Sequence, residues 1–209
     1  MNSVVVGLTG QTGAGKSTVS EFMKKLSCKI ISADAVAREA TSDGSECLKR
    51  LAEHFGYDII DKDGNCNRKL LAKKAFSSRE NTDILDSITH PWILNRTEEY
   101  ISHCKADNCG IIVFDAPQLF ESGGERLCNC IVAVTAPMKI RLERIIRRDG
   151  ITEQEAMMRI NAQFDEAYYT SRADYIIDGS AEIKQVERKV WQIISEIRKL
   201  TEVYNEKKY

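Results

Sequence analysis

The sequence predicts an α/β protein of three layers, with helices on both faces of a five-stranded parallel sheet. Three observations carry this prediction: five short apolar runs are spread along 209 residues, helical patterns lie between them, and a glycine-rich turn joins the first run to the first helix. Most of the runs are continuous rather than alternating, as strands are when helices cover both sheet faces. Strands alternating with helices define the α/β class.

The first run, Val4–Leu8, reads as a buried strand. After it comes Gly10-Gln11-Thr12-Gly13-Ala14-Gly15-Lys16-Ser17-Thr18, which has the G-x-x-x-x-G-K-[ST] spacing of the phosphate-binding P-loop. Its glycines let the backbone turn its N–H groups toward an anion, and the helix start that follows adds partial positive charge. In this reading Gly13, Ala14, Gly15, Lys16, Ser17 and Thr18 form the nucleotide site, with Lys16 reaching the β/γ-phosphates and Ser17 a ligand of Mg²⁺. Val19, Phe22, Met23 and Leu26, at i, i+3, i+4 and i+7, give the first helix an apolar face. The fold is therefore expected to be of the P-loop NTPase type.

Lys29–Ser32 is the second strand and Ile111–Phe114 the third, an interval far longer than one crossover helix needs. A helical subdomain must fill it. Leu48, Leu51, Ala52 and Phe55 form one stripe, and Leu70, Leu71 and Ala75 a second. Asn81 is placed to cap a third helix carrying Ile84, Leu85 and Ile88, and Pro91 fits the first turn of a fourth running toward Ser102. Ile131–Val134 is the fourth strand, and a charged helical insertion, Met138–Gln163, separates it from the fifth, Tyr175–Ile177. The last helix bears a stripe of Ile183, Val186, Val190, Ile193, Ile197 and Leu200, and the polar tail Tyr204–Tyr209 is expected to fray. The expected organisation is one unit, 1–209, with a core of 1–34, 106–137 and 164–209 and insertions at 35–105 and 138–163.

Bulk properties narrow the function. Hydrophobic residues make up 43% and charged residues 29%, ordinary values for a globular protein. A net charge of −1 argues against a general nucleic-acid binder. No apolar stretch is long enough for a membrane span, and no secretory leader is legible, so neither a membrane nor a nucleic acid is an expected partner. The seven cysteines contain no C-x-x-C pair, which fits free structural thiols in a reducing, cytoplasmic setting better than zinc ligands. A monomer or weak homo-oligomer is expected.

Phosphoryl transfer needs positioning, charge neutralisation and an oriented nucleophile. Asp34, just past the second strand, is placed either to accept a hydroxyl proton or to cap the following helix. Asp115 closes the third strand, where a P-loop protein carries a carboxylate that contacts Mg²⁺ directly or through water. Arg141, Arg144 and Arg148 share one helical face, which serves equally as a phosphate-neutralising row or as a solvated basic face. His90, before Pro91, is open to a substrate or a structural role. Asp61-Lys62-Asp63-Gly64 fails the calcium-loop pattern and reads as a turn, and no guanine-reading N-K-x-D occurs.

Taken together these segments resemble the dephospho-CoA kinase family across nearly the whole chain. The resemblance runs through Leu8–Thr18, Ala33-Asp34-Ala35-Val36-Ala37-Arg38, Ile88-Thr89-His90-Pro91, Asp115-Ala116-Pro117-Gln118-Leu119-Phe120-Glu121, Arg144…Arg148-Asp149-Gly150, Arg159-Ile160…Gln163 and Ala173–Asp178. It implies transfer of a phosphoryl group from ATP, with Mg²⁺, to the ribose 3′-hydroxyl of dephospho-CoA, giving CoA and ADP in the last step of CoA synthesis. By position, Asp34 would be the base, with Lys16 and Arg144 beside it in catalysis. Thr9, Asp34, Arg38, His90, Pro117, Leu119 and Glu121 would surround the acceptor. Residues 35–105 would be the CoA-side domain and 138–163 the lid, its Arg144 and Arg148 facing phosphates. Four places depart from the family pattern: Ser32 replaces a second aspartate, Gln118 a leucine, Gln11 a glycine, and Asp178-Gly179 the usual Asp-Asn-x-Gly.

Overall fold

The computed structural model describes residues 3–42 and 44–206, the side chains of 201–206 excepted. Strands β1 (Val4–Gly10), β2 (Lys29–Ser32), β3 (Ile111–Asp115), β4 (Cys130–Thr135) and β5 (Tyr175–Asp178) form a parallel sheet in the order β2-β3-β1-β4-β5. The expected strands are all present, each within one or two residues of its expected ends. β1 lies at the centre, with Leu8 opposite Asp115 of β3 and Leu8 opposite Val132 of β4. Its side chains from Val5 to Gly10 are buried, which explains a continuous rather than alternating apolar run.

The chain divides into two compact units, one formed by the chain up to Ile31 and from Ile101 onward, the other by Ser32–Tyr100. The first holds the sheet and helices α1 (Lys16–Lys25) and α9 (Ile183–Glu206). Val19 and Met23 of α1 pack with Val186, Val190, Ile193 and Ile197 of α9 and with Val6, Leu8 and Val134 of the sheet. The two ends of the expected α9 stripe differ: Ile183 and Leu200 are 57% and 61% exposed. α9 continues through Glu206, and the rest of the tail expected to fray lies outside the described residues. Between β4 and β5 run α6 (Met138–Asp149), α7 (Glu153–Asn161) and α8 (Glu166–Thr170). Ile145, Ala156 and Ile160 give α6 and α7 a small core of their own.

The second unit contains α2 (Ala33–Ala40), α3 (Glu46–Phe55), α4 (Arg68–Ala75) and the start of α5 (Arg79–Ala106). Leu48, Leu51, Ala52, Phe55, Leu71, Ala75 and Ile88 form its core. Two sequence expectations fail here. Ser78, not Asn81, caps α5, its hydroxyl accepting from the Asn81 N–H at 3.1 Å, while the Asn81 amide donates to the Lys74 carbonyl. Pro91 begins no new helix, since it lies inside the single α5. Proline forfeits the bond to the Ser87 carbonyl, yet burial of Ile88 and Leu94 on either side carries the helix past it. The Asp61–Gly64 segment is the expected turn, Asp61 Oδ1 accepting from the N–H groups of Asp63 and Asn65. No helix among the described residues is long and apolar enough to cross a membrane.

Candidate active site

The phosphate loop follows from β1 and the residues packed around it. Gly15 precedes α1 in the left-handed region and offers no capping side chain, so the first N–H groups of α1 have no intrahelical partner. The first turn of α1 carries no acid that would repel an anion. Gly13 has φ 78°, and a Cβ there would stand 2.7 Å from the Arg141 carbonyl oxygen. Only glycine meets both conditions at that position.

Lys16 and Asp115 form an ion pair, their side chains 16% and 12% exposed. The sheet register produces it: Asp115 lies opposite Leu8 at the end of β3, and β1 runs on into the loop that returns as α1. Ser17 is exposed in the first turn of α1.

The three arginines of α6 part company. Arg141 is 4% exposed and donates from Nε to the Thr12 carbonyl at 3.0 Å. Burial holds its guanidinium below the usual arginine range, with Tyr169 and Glu166 opposing that effect. Arg144 donates to the carbonyls of Gly13 (3.2 Å), Ala14 (3.3 Å) and Gly179 (2.8 Å). Arg148 is exposed and paired with Asp149, which also accepts from Arg159. Two of the three therefore fix the backbone of the phosphate loop. A periodic spacing shows that the three share a face but not what the face meets.

Around the loop are residues whose contacts the sequence does not reveal. Gln163 accepts from the Thr12 N–H at 2.8 Å, and buried Gln11 donates to the Phe164 carbonyl at 3.0 Å. A Cβ on Gly179 would lie 1.9 Å from the Ala14 carbonyl oxygen, so the chain leaving β5 presses directly on the loop. These contacts join segments more than 100 residues apart; the sequence marks Gln11, Gln163 and Gly179 through the family resemblance and its departures, but not which residues they meet.

The segment after β3 lines the same unit. Thr9 is fully buried and donates to the Pro117 carbonyl at 3.3 Å. Leu119 is also fully buried, close against Gly7. Glu121 accepts from the Tyr169 hydroxyl at 3.0 Å, and burial together with that carboxylate pushes the tyrosine up. Thr9 and Leu119 thus shape the segment from within, while Glu121 is partly accessible.

In the second unit Asp34 is an exposed residue in the first turn of α2 and makes no side-chain hydrogen bond or ion pair with any described residue. Ser32 performs the capping, its hydroxyl accepting from the Ala35 N–H at 3.4 Å. The two roles left open for Asp34 are thereby separated, and the cap belongs to Ser32. Arg38 is exposed on the same helix. His90 Nε2 lies 3.5 Å from Asp86 on α5; burial pushes the Asp86 carboxyl up, and His90 acts against it.

All seven cysteines are free. Burial pushes Cys28 and Cys130 up to about 11 and Cys128 up to about 12, so they are held as thiols. No cluster of three or more His, Cys, Asp or Glu side chains fit to hold a metal occurs among the described residues.

Comparison with known proteins adds a family to this geometry. Residues 4–185 match the family model for dephospho-CoA kinase. The Syntrophotalea carbinolica dephospho-CoA kinase is 36% identical over 194 residues, covering 93% of this chain and 92% of that protein. The Corynebacterium diphtheriae dephospho-CoA kinase is 37% identical over 90% of this chain and 96% of its own length. Among solved structures, dephospho-CoA kinase from Campylobacter jejuni superposes with a TM-score of 0.71 at 27% identity, covering 94% of this chain and 98% of that one. Shikimate kinase from Bacteroides thetaiotaomicron, at 16% identity and a TM-score of 0.54, shares the fold.

Proposed function

The chain belongs to the dephospho-CoA kinase family, and we infer that it transfers the γ-phosphoryl group of ATP to the ribose 3′-hydroxyl of dephospho-CoA, releasing CoA and ADP. The observation that carries this reading at the level of chemistry is the Lys16–Asp115 pair at the open first turn of α1. It sets a cation and an acid at the place where helix N–H groups receive phosphate.

Each residue then has a task. The loop N–H groups and Lys16 take the β- and γ-phosphates and spread the charge that moves toward the leaving oxygen. Arg141 and Arg144 keep the loop in its phosphate-binding shape by holding its carbonyls turned outward. Asp34, exposed and unpartnered, takes the proton of the 3′-hydroxyl as the new O–P bond forms. The bond from the γ-phosphorus to the bridging oxygen breaks, and ADP leaves with the electron pair. Arg38, His90, Pro117 and Glu121 are assigned to acceptor binding, Thr9 and Leu119 to support of the segment after β3, and Arg148, which pairs with Asp149 here, to phosphate in the 138–163 lid.

The Ser17 hydroxyl and the Asp115 carboxylate suit Mg²⁺, which takes one or two protein oxygens and completes its shell with water and phosphates. Such an ion neutralises phosphate charge when bound. The setting we propose is the cytoplasm, as a monomer or weak homo-oligomer, with 35–105 serving the CoA side.

The test is an acceptor panel with ATP and ADP detection. Dephospho-CoA is expected to drive ADP release far above shikimate or free nucleosides; preference for another alcohol contradicts the reading.

A further inference from the structure

Phe164 follows the lid and is 49% exposed. One face of its ring stacks on Tyr168, with centroids 3.9 Å apart and planes 14° from parallel. The Arg172 guanidinium carbon stands 4.0 Å from the same Tyr168 centroid. One ring face has no room for both, so Tyr168 is sandwiched and Phe164 is the outermost member, with its far face open to water.

The pile is held from several sides. Arg172 donates to the Tyr168 carbonyl at 2.9 Å, and Asp165 accepts from the Tyr168 N–H at 2.9 Å. Gln11 donates to the Phe164 carbonyl from a side chain only 5% exposed, and neighbouring Gln163 accepts from Thr12. The backbone that carries the outer ring is thus tied to the phosphate loop, once at the Phe164 carbonyl and once through the Gln163 side chain. From the other side Phe120 meets Tyr168 edge to face at 5.9 Å, and Glu121 accepts from Tyr169. Single exposed aromatics are ordinary. A flat, rigid one, backed by a second ring and a cation and anchored to a phosphate-binding loop, is a prepared stacking surface.

We propose that the open face of Phe164 is an adenine platform that stacks the base of the acceptor and so orients its ribose toward the phosphate loop. This rests on the dephospho-CoA reading. Both substrates of that reaction carry adenine. The pile favours the acceptor because Phe120, which meets Tyr168 directly, and Glu121, which accepts from the adjoining Tyr169, belong to the segment assigned to the acceptor. Gln11, at a departure from the family's glycine, is the positioning residue that holds the platform through the Phe164 backbone.

Calorimetric titration of the full chain with dephospho-CoA, with 4′-phosphopantetheine (the same acceptor without its adenylate) and with a non-hydrolysable ATP analogue tests this. Phe164→Leu keeps an apolar side chain and removes the ring, and a thermal melt confirms that it folds. It is expected to weaken dephospho-CoA binding by roughly tenfold or more, the scale of one lost base–aromatic stack, and to leave the other two ligands unchanged. Phe164→Trp is expected to restore affinity, and Gln11→Gly to raise the KM for dephospho-CoA more than it lowers kcat. Weakening of the ATP analogue alone assigns the platform to the donor and overturns the proposal, as does indifference of all three ligands. If wild type itself fails to bind dephospho-CoA, the functional reading falls and the platform with it. If wild type binds and Phe164→Leu binds equally, the platform alone falls.

Discussion

The Arg144 guanidinium donates to the Gly179 carbonyl at 2.8 Å, and its other terminal nitrogen reaches the Gly13 and Ala14 carbonyls. One side chain from the lid segment thereby fastens the chain after β5 to the phosphate loop. Its planar fork serves diverging acceptors in a way an ammonium does not. Arg144→Ala is expected to lower stability by about 1.5–3 kcal/mol and to raise the KM for ATP, with Arg144→Lys recovering little of either. Chemical denaturation and ATP titrations check this; full rescue by lysine contradicts the fork geometry.

Ser32 caps α2 and leaves Asp34 without a capping task, which frees it for the proposed role of base. Asp34→Asn is expected to cut kcat by roughly 10²–10⁴ with the melting temperature nearly unchanged. Ser32→Ala is expected to cost about 0.5–1 kcal/mol of stability, the low end for a lost cap given its long bond. Reversal of the two phenotypes would return Asp34 to a structural role.

Gly179→Ala places a Cβ where the Ala14 carbonyl stands. The loop must shift, at a cost of about 1–3 kcal/mol by the usual scale of overpacking. Binding of an ATP analogue is expected to weaken with it. An unchanged affinity measured by calorimetry would show that the loop shape does not depend on this contact.

Asp149, paired with its neighbour Arg148, joins α6 to α7 through Arg159. The Arg148 hydrogen bond, with Arg159 adding to it, holds the Asp149 carboxyl below the usual carboxylate range. A folded-state value below the unfolded one means that the contribution is present above the unfolded pKa near ~3.9 and is lost as pH falls through the folded value. Hydrogen-exchange protection over 153–161, corrected for the intrinsic rate at each pH, is expected to fall more in wild type than in Asp149→Asn when pH is lowered through that window. An equal fall in both would remove the pair from the lid's stability.

How much of this was legible in the sequence depends on the range of the interaction. The strands and the phosphate loop were readable because each is encoded locally, by a run of apolar residues or by glycine spacing. The Asn81 cap and the helix break at Pro91 were misread because neighbouring polar residues compete for one cap and because burial of Ile88 and Leu94 outweighs one missing hydrogen bond. Gln163 and Gly179 are marked only by the family resemblance, without a role, and Phe164 is not marked at all. Their roles arise only when the chain brings 163–179 against 11–14. Arg141 shows the same limit, since helical spacing does not distinguish a buried arginine donating to Thr12 from a solvated one.

The most direct measurement is mass spectrometry of the nucleotide products when ATP, Mg²⁺ and dephospho-CoA are incubated with wild type and with Lys16→Ala. Wild type is expected to yield CoA and ADP in equal amounts. The variant, lacking the cation paired with Asp115, is expected to be slower by roughly 10²-fold or more. ADP without CoA, or equal rates from the two proteins, would contradict the account.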